Sequence, residues 1–227
     1  NNITDKNKEI IMPAANIQLT ATADKVANIY TIEYDLNGGT LPQGVTNAST
    51  YTIETDNLSI SNLKNGTKLG YNFAGWTGGV VNDNGKIITN PTTAQTGTTG
   101  NVTSPTQALI IQKGSIGNRK YIANWEEAIF EYKVEYYYDN VKDEDKTETH
   151  TAKYNSIVNT YTDKCITGYE LKETPKSITI SYNENENIIR VDYIRKSYKL
   201  TLQKDDNIDS IIGSGMYKYN ESVQINA

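Results

Sequence analysis

One cysteine, one histidine, two phenylalanines and two tryptophans are all that a chain of 227 residues contains of those four types. The single cysteine, Cys165, excludes an intramolecular disulfide framework. With His150 as the only histidine, a zinc site lacks ligands. Long apolar runs are missing too, and none approaches the ~20 residues that a bilayer span requires. Nor is there a basic stripe. The 22 Lys and Arg are interspersed among 27 Asp and Glu, for a net charge of -5. Nothing of that kind tracks a phosphate backbone, so nucleic acid is not an expected partner.

What the chain does have is tyrosine, 17 in all. Tyr, Val, Ile and Thr favour pleated, half-wet surfaces, which predicts an all-β protein with little helix. Hydrophobic residues make up 37%, which suits small, thin-cored modules better than one deep core. No signal peptide or anchor motif is visible, and Asn1-Asn2-Ile3-Thr4-Asp5 reads as an arbitrary cut rather than a natural start.

The richest stretch is Gly70-Tyr71-Asn72-Phe73-Ala74-Gly75-Trp76. It holds one of the two Phe and one of the two Trp beside a Tyr, and reads as the aromatic pin of a small domain. Large rings supply the burial while Gly70 and Gly75 admit close backbone approach.

Along the chain, Ile17, Leu19 and Ala21 share one strand face, in a segment too short to bury a core alone. Tyr30, Ile32, Tyr34 and Leu36 alternate with Thr31, Glu33 and Asp35 in the clearest strand, ended by the turn residues Asn37-Gly38-Gly39. A strand is expected at Tyr51-Thr52-Ile53-Glu54, a hairpin turn at 82–85, and a long loop over 89–107. Order resumes at Ala108-Leu109-Ile110-Ile111 and closes on Tyr121-Ile122-Ala123-Asn124-Trp125.

These landmarks, with Lys113-Gly114-Ser115-Ile116-Gly117-Asn118, resemble one repeat over 29–126. It is the internalin-type B repeat, or Listeria–Bacteroides repeat, of bacterial surface proteins. The resemblance implies a small β-grasp-like module. In this chain 57–65 holds poor helix formers and is followed by Gly66, so the helix of such a module is not expected to be well formed.

A short joint over 126–131, without a Gly/Ser linker, predicts abutting modules and a stiff rod. In the next unit, assigned to 127–196, Tyr132, Val134, Tyr136 and Tyr138 make an apolar strand face. An acidic turn over 139–145 leads to a polar edge strand at Lys146-Thr147-Glu148-Thr149-His150-Thr151. Gly168-Tyr169 repeats the Gly70-Tyr71 pair. Segments 177–182 and 187–193 flank the turn Asn183-Glu184-Asn185 as a hairpin. The unit is similar to mucin-binding-protein (MucBP) repeats through Tyr132-Lys133-Val134-Glu135-Tyr136-Tyr137-Tyr138, Gly168-Tyr169 and Ile189-Arg190-Val191-Asp192-Tyr193. That resemblance implies another β-grasp-like surface module. Residues 197–227 look like the front half of a further divergent B-type repeat, and 1–28 like the back half of one. Together they suggest a tandem array in which units pack on their neighbours.

Candidate chemistry is sparse. Cys165 and His150 would have to meet for thiol catalysis, but His150 lies in a polar edge strand and nothing near Cys165 signals a low-pKa thiolate. No nucleophile elbow is present. The carboxylates Glu33, Asp35, Glu54, Glu135 and Asp192 lie on polar strand faces. The oxygen-rich runs 139–145 and 205–209 lack EF-hand spacing and read as solvated turns. The Gly pairs 38–39 and 213–215 lack the context of a phosphate loop. No enzyme activity, cofactor or metal is expected.

One binding residue stands out. Tyr137 points away from Tyr136 and Tyr138, and is either an exposed ring able to stack on a sugar or a ring packed along the sheet. The resulting expectation is a non-catalytic fragment of a bacterial cell-surface or cell-wall repeat protein, extracellular, in which tandem modules form an elongated rod. Its expected role is an adhesin stalk, with a host glycoprotein or mucin-type glycan as a possible partner. The alternatives are direct mucin binding on Tyr faces, or an accessory region of a larger surface hydrolase.

Overall fold

The computed structural model describes residues 11–18, 26–61, 63, 67–91 and 101–226. Leu19, Ala21, the 64–66 connection and residues 92–100 of the Thr/Gly-rich loop lie outside these residues. Strands dominate the regular structure of the described residues, with one 3-10 turn at Glu184–Glu186.

The first unit holds β1 (Tyr30–Asp35), β2 (Thr50–Tyr51), β3 (Leu58–Ile60), β4 (Tyr71–Val80), β5 (Val102–Thr106), β6 (Leu109–Ile111) and β7 (Arg119–Glu127). Five strands form a sheet in the order β2-β1-β7-β4-β5, and β3 pairs with β6 separately. The first and last strands of the unit lie side by side and parallel, with Tyr34 opposite Tyr121. Every other pairing in this sheet is antiparallel.

The aromatic pin is the start of β4. Its partner β7 places Trp125 opposite Phe73 and Asn124 opposite Gly75, so two steps on β4 match one on β7. Ala74 is the extra residue of a bulge, and it resets the alternation. Phe73 and Trp76, three apart, therefore face the same side. Phe73 meets Trp76 and Trp125 edge-on, each at 5.5 Å between ring centres. Trp76 is fully buried and its indole N–H donates to the Ser61 carbonyl at 2.9 Å. Burying such a ring removes about 150–250 Å² from water, worth roughly 4–6 kcal/mol by area. Trp125 packs on the same core, its N–H donating to the Leu36 carbonyl at 3.0 Å. Gly39 lies directly under it, and a Cβ there would come within 2.1 Å of the indole.

The second unit holds β8 (Ile129–Tyr138), β9 (Val141–Lys153), β10 (Ile157–Val158), β11 (Tyr169–Leu171), β12 (Ile178–Thr179) and β13 (Ile188–Arg195). Its sheet order is β11-β13-β8-β9, and again the first and last strands, β8 and β13, are adjacent and parallel. Tyr132, Val134, Tyr136 and Tyr138 are all buried with Ile180, Ile189, Val191 and Tyr193. This is the apolar face expected from alternation. Asn187 anchors the end of the unit. Its side chain is fully buried, accepts from Ser181 N–H and donates to the Glu131 and Ser181 carbonyls.

Four local expectations are corrected. The strand expected at 51–54 ends at Tyr51, and Thr52–Thr55 is a turn closed by Thr55 N–H on the Thr52 carbonyl. Residues 102–106 are not loop but β5, an edge strand, where Pro105 is tolerated. The acidic run is mostly strand: Asp139 and Asn140, at φ 49° and 67°, make a two-residue hairpin turn, and β9 begins at Val141. The segments 177–182 and 187–193 do not form a hairpin. β12 pairs with β10, and β13 with β8 and β11. The buried Asn187 and the 3-10 turn hold that corner instead.

After β13, β14 (Ser197–Leu200) and β15 (Gly215–Lys218) form a separate two-stranded antiparallel sheet.

Candidate functional site

Two places combine tyrosines in a way that sequence alone only half revealed. One is the passage between units, and the other is the outward face of the second sheet.

At the first passage, β7 runs into β8 through a single residue, Ala128. Residues 68–71 form a turn closed by Tyr71 N–H on the Lys68 carbonyl at 2.9 Å. Gly70 takes the positive φ (82°) that the third position of a type II turn requires. The Gly70 carbonyl accepts from Ala128 N–H at 2.9 Å, and the Ala128 carbonyl accepts from Tyr154 N–H at 2.8 Å. The Tyr154 ring lies over Gly70, where a Cβ would meet it at 2.5 Å. It also meets Tyr71 edge-on at 5.4 Å.

The second passage repeats the backbone hydrogen bonds and the ring over glycine. β13 runs into β14 through Lys196 alone. Tyr169 N–H closes a turn on the Ile166 carbonyl at 3.1 Å, with Gly168 at φ 84°. The Gly168 carbonyl accepts from Lys196 N–H and the Lys196 carbonyl from Tyr219 N–H, both at 2.8 Å. The Tyr219 ring covers Gly168, with a Cβ position 2.2 Å away. Tyr154 and Tyr219 each follow a lysine and precede an asparagine at positive φ, Asn155 at 60° and Asn220 at 62°. Gly70-Tyr71 and Gly168-Tyr169 stood out in the sequence. The recurring Lys-Tyr-Asn did not, although it was the signal that would have found the other half.

On the outward face of the second sheet, Tyr137 is half-buried. The Arg190 guanidinium lies over its ring at 3.7 Å, and the Tyr137 hydroxyl donates to Glu135 at 2.8 Å. That hydrogen bond, then burial and the Glu135 charge, push the Tyr137 hydroxyl pKa up. Lys142 bridges Glu135 at 2.8 Å and Glu144 at 2.9 Å. Burial alone would raise Glu135, but hydrogen bonds from Lys142 and Tyr137 and the nearby lysine charges outweigh it and hold the carboxyl low. Arg190 in turn pairs with Asp192 at 2.8 Å. Tyr137 is thus built into a closed row of charges along the sheet.

A second charged row runs beside the edge strand. Glu148 bridges Lys164 at 2.7 Å and lies 3.4 Å from His150. The hydrogen bond from Lys164 is the main reason its carboxyl is held low. The Tyr136 hydroxyl donates to the Thr162 carbonyl at 2.8 Å, and burial foremost pushes its pKa up to about 12. His150 stacks on Tyr132, whereas the Cys165 thiol points to the Tyr169 carbonyl at 3.1 Å. The structure does not bring this cysteine and histidine together. Asp139 is paired with Arg195 and Asp143 with Lys146. Among the described residues, no group of three or more His, Cys, Asp or Glu converges as a metal site. No helix among them is long and apolar enough to cross a membrane.

The remaining predicted motif residues fall where packing needs them. Tyr30, Tyr34 and Trp125 pack on the first core, and Tyr169 on the second, edge-on to Tyr138 at 5.5 Å. Gly38 takes a positive φ in the turn after β1, and Gly75 lies against the β5 backbone. The chain matches no family model, and no curated protein or solved structure is significantly similar to it.

Proposed function

We propose that the chain is a non-catalytic segment of a bacterial surface repeat protein, in which β-grasp-like units in a rod space or display an adhesive element. One observation carries the reading. In each of the two larger units the first and last strands lie parallel and adjacent, and the last strand passes into the next unit through one residue. Parallel neighbours put the entry and exit of a unit at opposite ends, so successive units extend away from one another. Single-residue joints leave no slack.

Direct glycan binding on Tyr137 has less support, because Arg190 already covers one face of that ring. The spacer role also needs no convergent acid, base or thiol.

Small-angle scattering of the chain tests the rod: an elongated envelope is expected, and a globular one overturns it. A mucin pull-down with the chain and with Tyr137→Ala tests the binding alternative. Retention by the unaltered chain and its loss in the variant would displace the spacer role.

A further inference from the structure

The two joints match in turn type, hydrogen-bond pattern and ring-on-glycine packing, although the flanking sequences differ. We propose that each Gly-Tyr turn is a docking surface for the tyrosine turn at the end of the first hairpin of the following unit, and that closing this latch orders that hairpin. The proposal does not depend on what the array displays or where it resides.

The geometry accounts for each part. Glycine is needed at 70 and 168 twice over, for the positive φ and for the space that the ring of Tyr154 or Tyr219 fills. The joint residue uses both its backbone groups, donating back to the glycine carbonyl and accepting forward from the tyrosine N–H. A unit is therefore tied to its predecessor through the backbone as well as the ring. The ring position belongs to a turn closed by Ser156 N–H on the Lys153 carbonyl and by Glu221 N–H on the Lys218 carbonyl, each with its asparagine at positive φ, whereas the Thr52–Thr55 turn of the first unit shares the hydrogen bond but not the positive φ. The second residue of these turns is Ile53 in the first unit, Tyr154 in the second and Tyr219 after β15.

The hairpin after the second unit shows what the latch does. Made of β14 and β15, it pairs with no other strand of the described residues. Tyr198 and Met216 on it are more than half exposed. An isolated two-stranded hairpin is marginal in water. This one is held at its base by the latch, and by Arg195, which bonds Asp139 through its side chain and backbone and the Tyr219 carbonyl at 3.4 Å. A completed unit thus supplies the template for the start of the next.

Hydrogen exchange on the whole chain tests this. The amides of β14 and β15 are expected to be protected in the unaltered chain and to lose more than about tenfold of that protection in Tyr219→Ala. The amides of β8 and β13 should keep theirs. Tyr219→Phe retains the ring and should retain the protection, which separates the latch from a general weakening of the hairpin. Tyr154→Ala should increase the motion of the second unit relative to the first by NMR relaxation, whereas Ile53→Ala should not. Unchanged protection in Tyr219→Ala, an equal loss in Tyr219→Phe, or a loss spreading through β8 and β13 would each overturn the proposal.

Discussion

The Arg190 guanidinium rests 3.7 Å above the Tyr137 ring while the hydroxyl of that ring is tied to Glu135. A cation over an aromatic face in a partly exposed site contributes about 0.5–1 kcal/mol. Tyr137→Ala is therefore expected to lower the stability of the second unit by about 1 kcal/mol in urea denaturation. No change would mean that the stack adds nothing in solution.

Trp76 fills the centre of the first unit. Trp76→Ala removes the largest fully buried side chain and is expected to cost about 3–5 kcal/mol, enough to unfold a marginal unit. Trp76→Phe keeps much of the ring but strands the Ser61 carbonyl, at roughly 1–3 kcal/mol. Far-UV circular dichroism melts of both variants check the order of these effects.

Gly39 has no room for a side chain. In Gly39→Ala the new methyl must displace the Trp125 indole, and overpacking of that kind costs about 1–3 kcal/mol. Tryptophan emission should shift to the red as Trp125 is pushed outward. An unshifted spectrum with unchanged stability would contradict the packing.

Acid should weaken the second unit. Glu148 is held low chiefly by the hydrogen bond from Lys164, and Asp163 by that from the Tyr193 hydroxyl. A carboxyl lowered in the folded state binds its proton more readily when unfolded. Its contribution is therefore fully present above the ordinary carboxylate range and is lost as pH falls through that range and below. Urea midpoints for the second unit should drop from pH 7 to pH 3, and Glu148→Gln should flatten that drop. An identical drop in the variant would show that Glu148 carries none of it.

Alternation made the strands around Ile32 and Val134 legible, because one face of each meets a core and the other meets water. The aromatic pin was legible from composition, since so few large rings are available to fill the interior. The bulge at Ala74 was not, because nothing local marks where a partner strand skips a residue. The hairpin expected over 177–193 failed for a related reason. Its turn chemistry is sound, but β13 finds a better partner in β8, far away in sequence, and Asn187 is fixed by Glu131 across the same distance. Tyr137 shows the limit at the candidate site. Periodicity gave its direction, while the guanidinium that covers it comes from a strand more than fifty residues on. The latches were half legible, through their glycines, because the rings that complete them belong to the next unit.

The adjacency of β8 and β13 bears on how the chain carries load. A pull applied along it would enter at Ile129 and leave at Arg195, dragging two parallel neighbours past each other. Every rung between them would then be stressed at once and sideways, as in a lap joint. A pull across the sheet would instead peel the same rungs apart one after another.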